Sequence, residues 1–276
     1  MTGHRGLAWH RVLAVARKDA AELARNPGAI LPAITMVFGS LVPAFLVVVG
    51  APMLAGESLE RSGEFAEEAQ AAITAIPELA HLTGNALIQA FLFHQFSLLL
   101  LLVPVVAAMA LATHAVIGEK QSKALEPLLA TPLTTVELLA AKTLTPFVFS
   151  LALSWAAALL YMGGILLVAE PGVWQTILGP RSFLMFVVLG PLVELAALQL
   201  SVIVSSRAND PRSAQQLASL LILPITVVFV AQLMGAYVIG PTAILLGALG
   251  CAVLNAILLW VGVQVFARET ILMRWK

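Results

Sequence analysis

The chain has 276 residues, 60% of them hydrophobic and 11% charged, with a formal net charge of zero and a mean hydropathy of +0.97. A soluble domain carries about 25% charged and about 45–50% apolar residues, so an ordinary water-soluble fold is excluded. The stretches 26–56, 79–118, 143–169 and 213–267 hold no charge at all, and a helix needs roughly 20 apolar residues to cross the hydrocarbon core.

Over residues 6–26, Trp9, Val12, Leu13, Ala16, Ala20 and Leu23 recur at helical spacing, while Arg11, Lys18, Glu22 and Arg25 take the other face. The pattern predicts an amphipathic helix lying in the membrane interface; a solvated amphipathic helix is the plainer alternative. Asn26-Pro27 ends it, because the residue before proline is pushed out of helical geometry. A first span follows over 28–54. The segment 57–84 is acidic, with Glu57, Glu60, Glu64, Glu67, Glu68 and Glu78 against Arg61 alone. One or two short external helices are expected there. Its charge either attracts cations or simply reflects a translocated loop poor in lysine.

The second span covers 86–116. His94-Gln95, near its outer end, either marks an exit or is an interfacial histidine with its bonds met. The loop 117–142 is the most informative stretch. Glu126-Pro127 opens a short helix, since proline loses nothing at a first helical position and a carboxylate suits the positive end. Thr131-Pro132 closes it, and Thr134 with Glu137 forms a capping box that starts the helix of the third span, 143–168. Leu125, Leu128 and Leu129 are thereby displayed outside the membrane, where they ask for a partner surface or fold back on the chain's own helix ends.

The fourth span, 182–205, carries Glu194 near its middle. A carboxylate there costs roughly 2.5 to 3.5 kcal/mol on insertion scales, so it is expected to face protein or water, or to be protonated. It is the candidate pathway or gating residue; a neutral glutamic acid packed between helices is the alternative. Gln199, five residues on, is not on the same face, which leaves His114, Asn255 and Gln264 as partners from other spans. The final uncharged run is too long for one crossing and is divided at Gly240-Pro241 into 215–238 and 242–266.

Six crossings make residues 1–276 a single all-α, multi-pass transmembrane domain with both ends on one side. Continuous apolar runs exclude an alternating β-barrel. With cytoplasmic termini, 13 of the 15 basic residues fall inside and only Arg61 and Arg181 outside, as short cytoplasmic loops require. The expected location is the cytoplasmic (inner) membrane. The first apolar run begins at 28 and is too long for a signal-peptide core, so no cleavable signal is expected. Cys251, the sole cysteine, rules out an intrachain disulfide or a cysteine metal cage.

The run from Gly118 to Lys142 resembles the signature loop of the ABC-2-type exporter permeases. That pattern is Gly-Glu, a charged stretch, Leu-Glu-x-Leu-Leu, Thr-Pro, an acidic helix start and a lysine. The matching positions are Gly118, Glu119, Leu125, Glu126, Leu128, Leu129, Thr131, Pro132, Glu137 and Lys142. Arg17-Lys18-Asp19, Glu22-Leu23 and Arg25-Asn26-Pro27 are similar to the family's opening helix. Lys123-Ala124 stands where the family commonly has Gly-Thr, which bears on the bend of the loop.

The resemblance implies that Gly118, Glu119, Leu125, Glu126, Pro127, Leu128, Leu129, Thr131 and Pro132 couple to a cytoplasmic ATPase. It also implies that the interfacial helix, with Trp9, Arg17, Lys18, Glu22 and Arg25, moves with them. No Gly-x-x-x-x-Gly-Lys-Ser/Thr occurs in the chain, so ATP and Mg belong to a separate subunit. The expected assembly is two ATPases and two permeases, the second a copy or a relative, with lipids but no nucleic acid around them. No cofactor or metal is expected on this chain.

An ion- or proton-coupled secondary transporter would carry paired intramembrane carboxylates and an inverted repeat; the sequence offers one carboxylate and no convincing repeat. An intramembrane enzyme would need a motif such as His-Glu-x-x-His or Gly-x-Ser-x-Gly. Neither occurs, and the histidines at 4, 10, 81, 94 and 114 are scattered. A structural scaffold is a minor third reading.

Overall fold

The computed structural model describes residues 17, 21, 27–63, 65–121, 135–207, 216, 219–235 and 238–265, without the side chains of 29, 114–121, 135–142, 206, 207 and 265. Helix α1 (Pro27–Phe45) runs through a π turn (Leu46–Gly50) into Ala51–Ala55. Two short helices, α2 (Leu59–Ser62) and α3 (Ala66–Ala72), precede a 3-10 turn at Pro77–Leu79. Helix α4 (Gly84–Phe96) passes through a 3-10 segment (Ser97–Leu101) into α5 (Leu102–Gln121). Helix α6 (Thr135–Val168) is followed by the short α7 (Val173–Ile177). The pair α8 (Pro180–Phe183) and α9 (Gly190–Arg207) is joined by a π turn (Leu184–Leu189). A 3-10 turn (Ser219–Leu221) leads into α10 (Ile222–Leu233), and α11 (Pro241–Val265) comes last, with proline at its first position.

Four of the irregular segments lie just before a proline. Proline offers no N–H to the carbonyl four residues before it. Pro52, Pro104, Pro191 and Pro224 cannot donate to the carbonyls of Val48, Leu100, Val187 and Leu220, and each of these residues lies inside a π or 3-10 segment. Side chains serve neighbouring carbonyls in two of them. Ser40 Oγ donates to the Leu99 carbonyl at 3.0 Å, and Trp155 Nε1 donates to that of Phe186 at 3.2 Å. The breaks therefore also tie α1 to the second long helix and α6 to the fourth.

Among the described residues five helical stretches are long and apolar enough to cross a membrane: Ile30–Ala55, Gly84–Thr113, Thr143–Val168, Pro180–Ser205 and Pro241–Gln264. The remaining predicted span, the fifth at 215–238, is represented among the described residues by the shorter apolar helix Ser219–Leu233. Secondary structure among the described residues is entirely helical, as expected. Of the predicted interfacial helix Arg17 and Ala21 are described, both helical and exposed; Trp9, Lys18, Glu22 and Arg25 lie outside the described residues.

The second stretch is the hub. In its most apolar window 89% is buried, against 17% for the last. Lipid tails are as apolar as leucine, so burial alone does not hold such helices together; close packing through small residues does. Ala107, Ala108, Ala110 and Ala112 on α5 and Ala196 and Ala197 on α9 are all buried. They let α1, α6 and α9 pack closely along α5, while α11 packs on the far side of α9. The outer faces of α1, α6 and α11 expose Phe38, Leu159, Leu167, Leu246 and Leu249, a surface suited to lipid.

At one end of the bundle the segment 57–79 lies across the helix ends. The Leu59 N–H donates to Asn85 Oδ1 at 3.0 Å, Asn85 Nδ2 donates to Glu170, and the Glu170 N–H donates to Gln89 Oε1 at 3.0 Å. Two glycines permit the close approach. A Cβ on Gly240 would lie 2.7 Å from the Ala75 carbonyl oxygen, and one on Gly179 would lie 3.1 Å from Glu78 Oε1. The ends at Gln121, Thr135 and Arg207 lie at the opposite end of the bundle.

A third glycine gives a test of the packing. Phe45, Phe93 and Tyr161 form a cluster of rings with centroids 5.6 to 5.9 Å apart, and the Tyr161 hydroxyl donates to the Phe93 carbonyl at 2.6 Å. A Cβ on Gly164 would lie 2.4 Å from Phe45 Cζ, inside that cluster. Gly164→Ala is therefore expected to destabilise the protein by about 1–3 kcal/mol through overpacking. A lowered thermal unfolding temperature in detergent is the measurement; an unchanged one refutes the rigidity of the cluster.

Candidate functional site

Glu194, half-way along the fourth long helical stretch, is fully buried. Ser150 of α6 supplies its partner. The Ser150 hydroxyl lies 2.5 Å from Glu194 Oε1 and 2.7 Å from the Pro146 carbonyl, bridging the two. Glu194 Oε2 has no partner among the described residues. The sequence left His114, Asn255 and Gln264 as partners from other spans. Gln264 is exposed, the His114 side chain lies outside the described residues, and Asn255 is occupied elsewhere.

Gln199 turns the other way from Glu194, as five residues of helix require. Its Nε2 donates to Asn255 Oδ1 of α11 at 2.9 Å. Asn255 Nδ2 in turn donates to the Leu192 carbonyl at 2.9 Å and to the Cys251 carbonyl at 2.8 Å. One polar residue of α9 thus faces α6 and the other fastens α11. Asn255→Leu would strand the Gln199 amide and is expected to cost about 1–3 kcal/mol, the penalty for an orphaned buried polar group. Thermal unfolding of the single variant and of Asn255→Leu with Gln199→Leu checks this, since the double change is expected to recover most of the loss.

A second polar group lies at the end covered by residues 57–79. Arg181, at the start of α8, is completely buried. Its Nε donates to the Ile239 carbonyl at 2.8 Å, and its Nη1 lies 3.0 Å from His94 Nδ1 and 3.2 Å from Ser97 Oγ. Ser97 spends its own proton on the His94 carbonyl at 2.6 Å, so it accepts from the guanidinium. Beside it, Gln95 Nε2 donates to the Gln232 carbonyl at 3.5 Å. One side chain therefore joins α4, α8 and the approach to α11.

Sequence reasoning counted Arg181 only as an external charge. The available signal was Gly179-Pro180 before it, which begins a helix and turns the arginine into the bundle rather than out to water. His94 is likewise not an interfacial histidine with its bonds met: it is buried, and its Nε2 has no partner among the described residues.

Towards the opposite end, a cleft of about 230 Å³ opens between α1, α5 and the start of α10, lined by Pro32, Val106, Met109 and Ile222 among others. Gly118 and Glu119 belong to the last turns of α5. Leu125, Glu126, Pro127, Leu128, Leu129, Thr131 and Pro132 lie outside the described residues, between the end of α5 at Gln121 and the start of α6 at Thr135. Among the described residues no group of three or more His, Cys, Asp or Glu side chains is placed to hold a metal.

The family model described as ABC-2 family transporter protein matches residues 13–244. No curated protein matches the chain.

Proposed function

The chain belongs to the ABC-2 family of transporter proteins, and from that premise we propose that it is the permease subunit of an ATP-binding-cassette exporter, driven by ATPase subunits on separate chains. Family membership carries this reading, and the loop motif between α5 and α6 supports its details. The protein is a multi-pass membrane component of transport, with long apolar helices exposed on the outside of the bundle. In the proposed topology it crosses the cytoplasmic membrane six times, Ser219–Leu233 belonging to the fifth crossing. Both termini and the loop 117–142 are cytoplasmic, and residues 57–79 cap the outer end.

Two permeases, copies or relatives, enclose the pathway, and two ATPases dock below them. The short helix around Glu126 to Leu129 meets the ATPase, and the N-terminal helix with Arg17, Lys18, Glu22 and Arg25 moves with it. Closure of the ATPase dimer on ATP, with its Mg, drives these elements. The helices α5 and α6 that flank the loop pack along each other, so a displacement at the loop reaches Ser150 and Glu194 directly. A change of state follows only if ATP binding stabilises one arrangement over the other. Glu194 is the proposed pathway or gating residue.

Extraction of the native complex in mild detergent tests the proposal. An ATPase subunit is expected to co-purify with the chain, and its ATP hydrolysis is expected to depend on the permease. Persistent isolation of the chain without any ATPase would refute the exporter reading.

A further inference from the structure

Of the long helical stretches, the second, the fourth and the last begin at the end covered by residues 57–79, at Gly84, Pro180 and Pro241. A helix start carries free N–H groups and a partial positive charge, and no side-chain cap meets the first two. The acidic segment brings oxygens to all three. Glu60 Oε2 lies 2.9 Å from the position of a Cβ on Gly84, Glu78 Oε1 lies 3.1 Å from that on Gly179, and the Ala75 carbonyl oxygen lies 2.7 Å from that on Gly240. The segment's other side is apolar and buried, through Leu59, Ala69, Ala72, Ile76 and Leu79. Its acidity thus has a use within the fold, where it faces three positive helix ends.

Arg181, buried two residues beyond Gly179, adds a full charge to this face, and the Glu78 carboxylate is its electrostatic partner. The two attract across a gap: Arg181 Nη2 and Glu78 Oε2 each lack a hydrogen-bond partner among the described residues. Such an attraction holds two elements together, yet parting them breaks no hydrogen bond between them and admits water to both charges. The segment lies between Gly56 and Gly84, both in the left-handed region, with φ of +70° and +58°. Small residues at the ends of elements can absorb the backbone rotation of a hinge. From this arrangement we propose that residues 57–79 form a strap, latched by Glu60 and Glu78 onto the starts of the second and fourth stretches, and that this strap is the outer gate, which unlatches in each transport cycle. The gate rests on the export reading above; the latch does not.

The latch is read on the purified full-length chain in detergent, with no ATPase present, by backbone hydrogen exchange. Glu60→Gln and Glu78→Gln keep the shape of the side chain and lose its charge. Each is expected to speed exchange of the 57–79 amides about two- to fivefold, the effect of a charge at a helix start, and to leave the amides of α9 unchanged. Unaltered exchange of the strap in either variant would overturn the latch. The gate is read in the complex with its ATPase. Glu78→Cys with Gly179→Cys, in a chain carrying Cys251→Ser, sets a sulfur at the position of Glu78 Cγ, 3.3 Å from the Gly179 Cβ position. The two thiols are then within reach of a disulfide or of a short bis-methanethiosulfonate. Cross-linking is expected to stop turnover and reduction to restore it. Equal turnover of the cross-linked and reduced complexes would make the strap a fixed cap and overturn the gate. A wild-type complex without ATP-driven transport would refute the export reading, and the gate with it, while the exchange rates still decide the latch.

Discussion

Replacing Leu128 and Leu129 together by aspartate is expected to abolish transport and to release the ATPase, while the chain still inserts and folds. Both residues belong to the loop 117–142, between the ends of α5 and α6. Outside the membrane a displayed leucine gains by being covered, and the proposed cover is the ATPase. Burying two unpaired carboxylates in that contact costs about 3–5 kcal/mol each, and every 1.4 kcal/mol is a tenfold change in affinity. Binding should therefore fall by more than about a thousandfold. No such penalty applies to the isolated permease if the leucines are free in it. Co-purification and transport are the paired readouts, with monodispersity of the variant as the control. Retained ATPase and undiminished transport would remove the loop from the coupling mechanism.

Glu194→Gln carries the second large expected effect. Glutamine has nearly the shape of glutamate and still accepts from the Ser150 hydroxyl, which lies 2.5 Å from Oε1, so thermal stability should hold or rise. What is lost is the capacity to carry charge at the one oxygen, Oε2, that no described residue satisfies. If that oxygen faces the pathway or exchanges partners as α6 and α9 shift, turnover or substrate-stimulated ATP hydrolysis should change by about fivefold or more, the lower range of coupling between sites. Ser150→Ala, which strands Oε1 as well, should lower stability as well as turnover. Unchanged turnover in Glu194→Gln at unchanged stability would return Glu194 to packing.

Much of the architecture was legible because membranes impose a length on apolar helices. Each of the five long stretches falls within a few residues of its predicted span. The division at Gly240-Pro241 was read from proline chemistry, and Pro241 begins the last helix. The fifth span was harder. Apolar length merged it with the sixth, and the described part of it begins with a 3-10 turn at Ser219–Leu221, before Pro224, which cannot donate to the Leu220 carbonyl.

The polar interior was legible in part. Glu194 stood out because a charge is expensive at mid-membrane, but its partner Ser150 carries no such signature; serine in an apolar helix usually bonds its own backbone. Asn255 was named as a partner available to Glu194 and instead holds Gln199. Residue type gives the need for a hydrogen bond, whereas the rotation of each helix about its axis decides who meets it.

By itself the sequence determined that this protein is helical and membrane-embedded, and where its long helical stretches begin and end. These follow from local quantities: apolar length, proline position and charge order along the chain. The tertiary structure alone decided that the second stretch is the buried hub, that Glu194 meets α6 while Gln199 meets α11, and that Arg181 is buried against His94 and Ser97. Those outcomes depend on how helices turn and approach one another through small residues, contacts between positions 44 to 87 residues apart that no local pattern encodes.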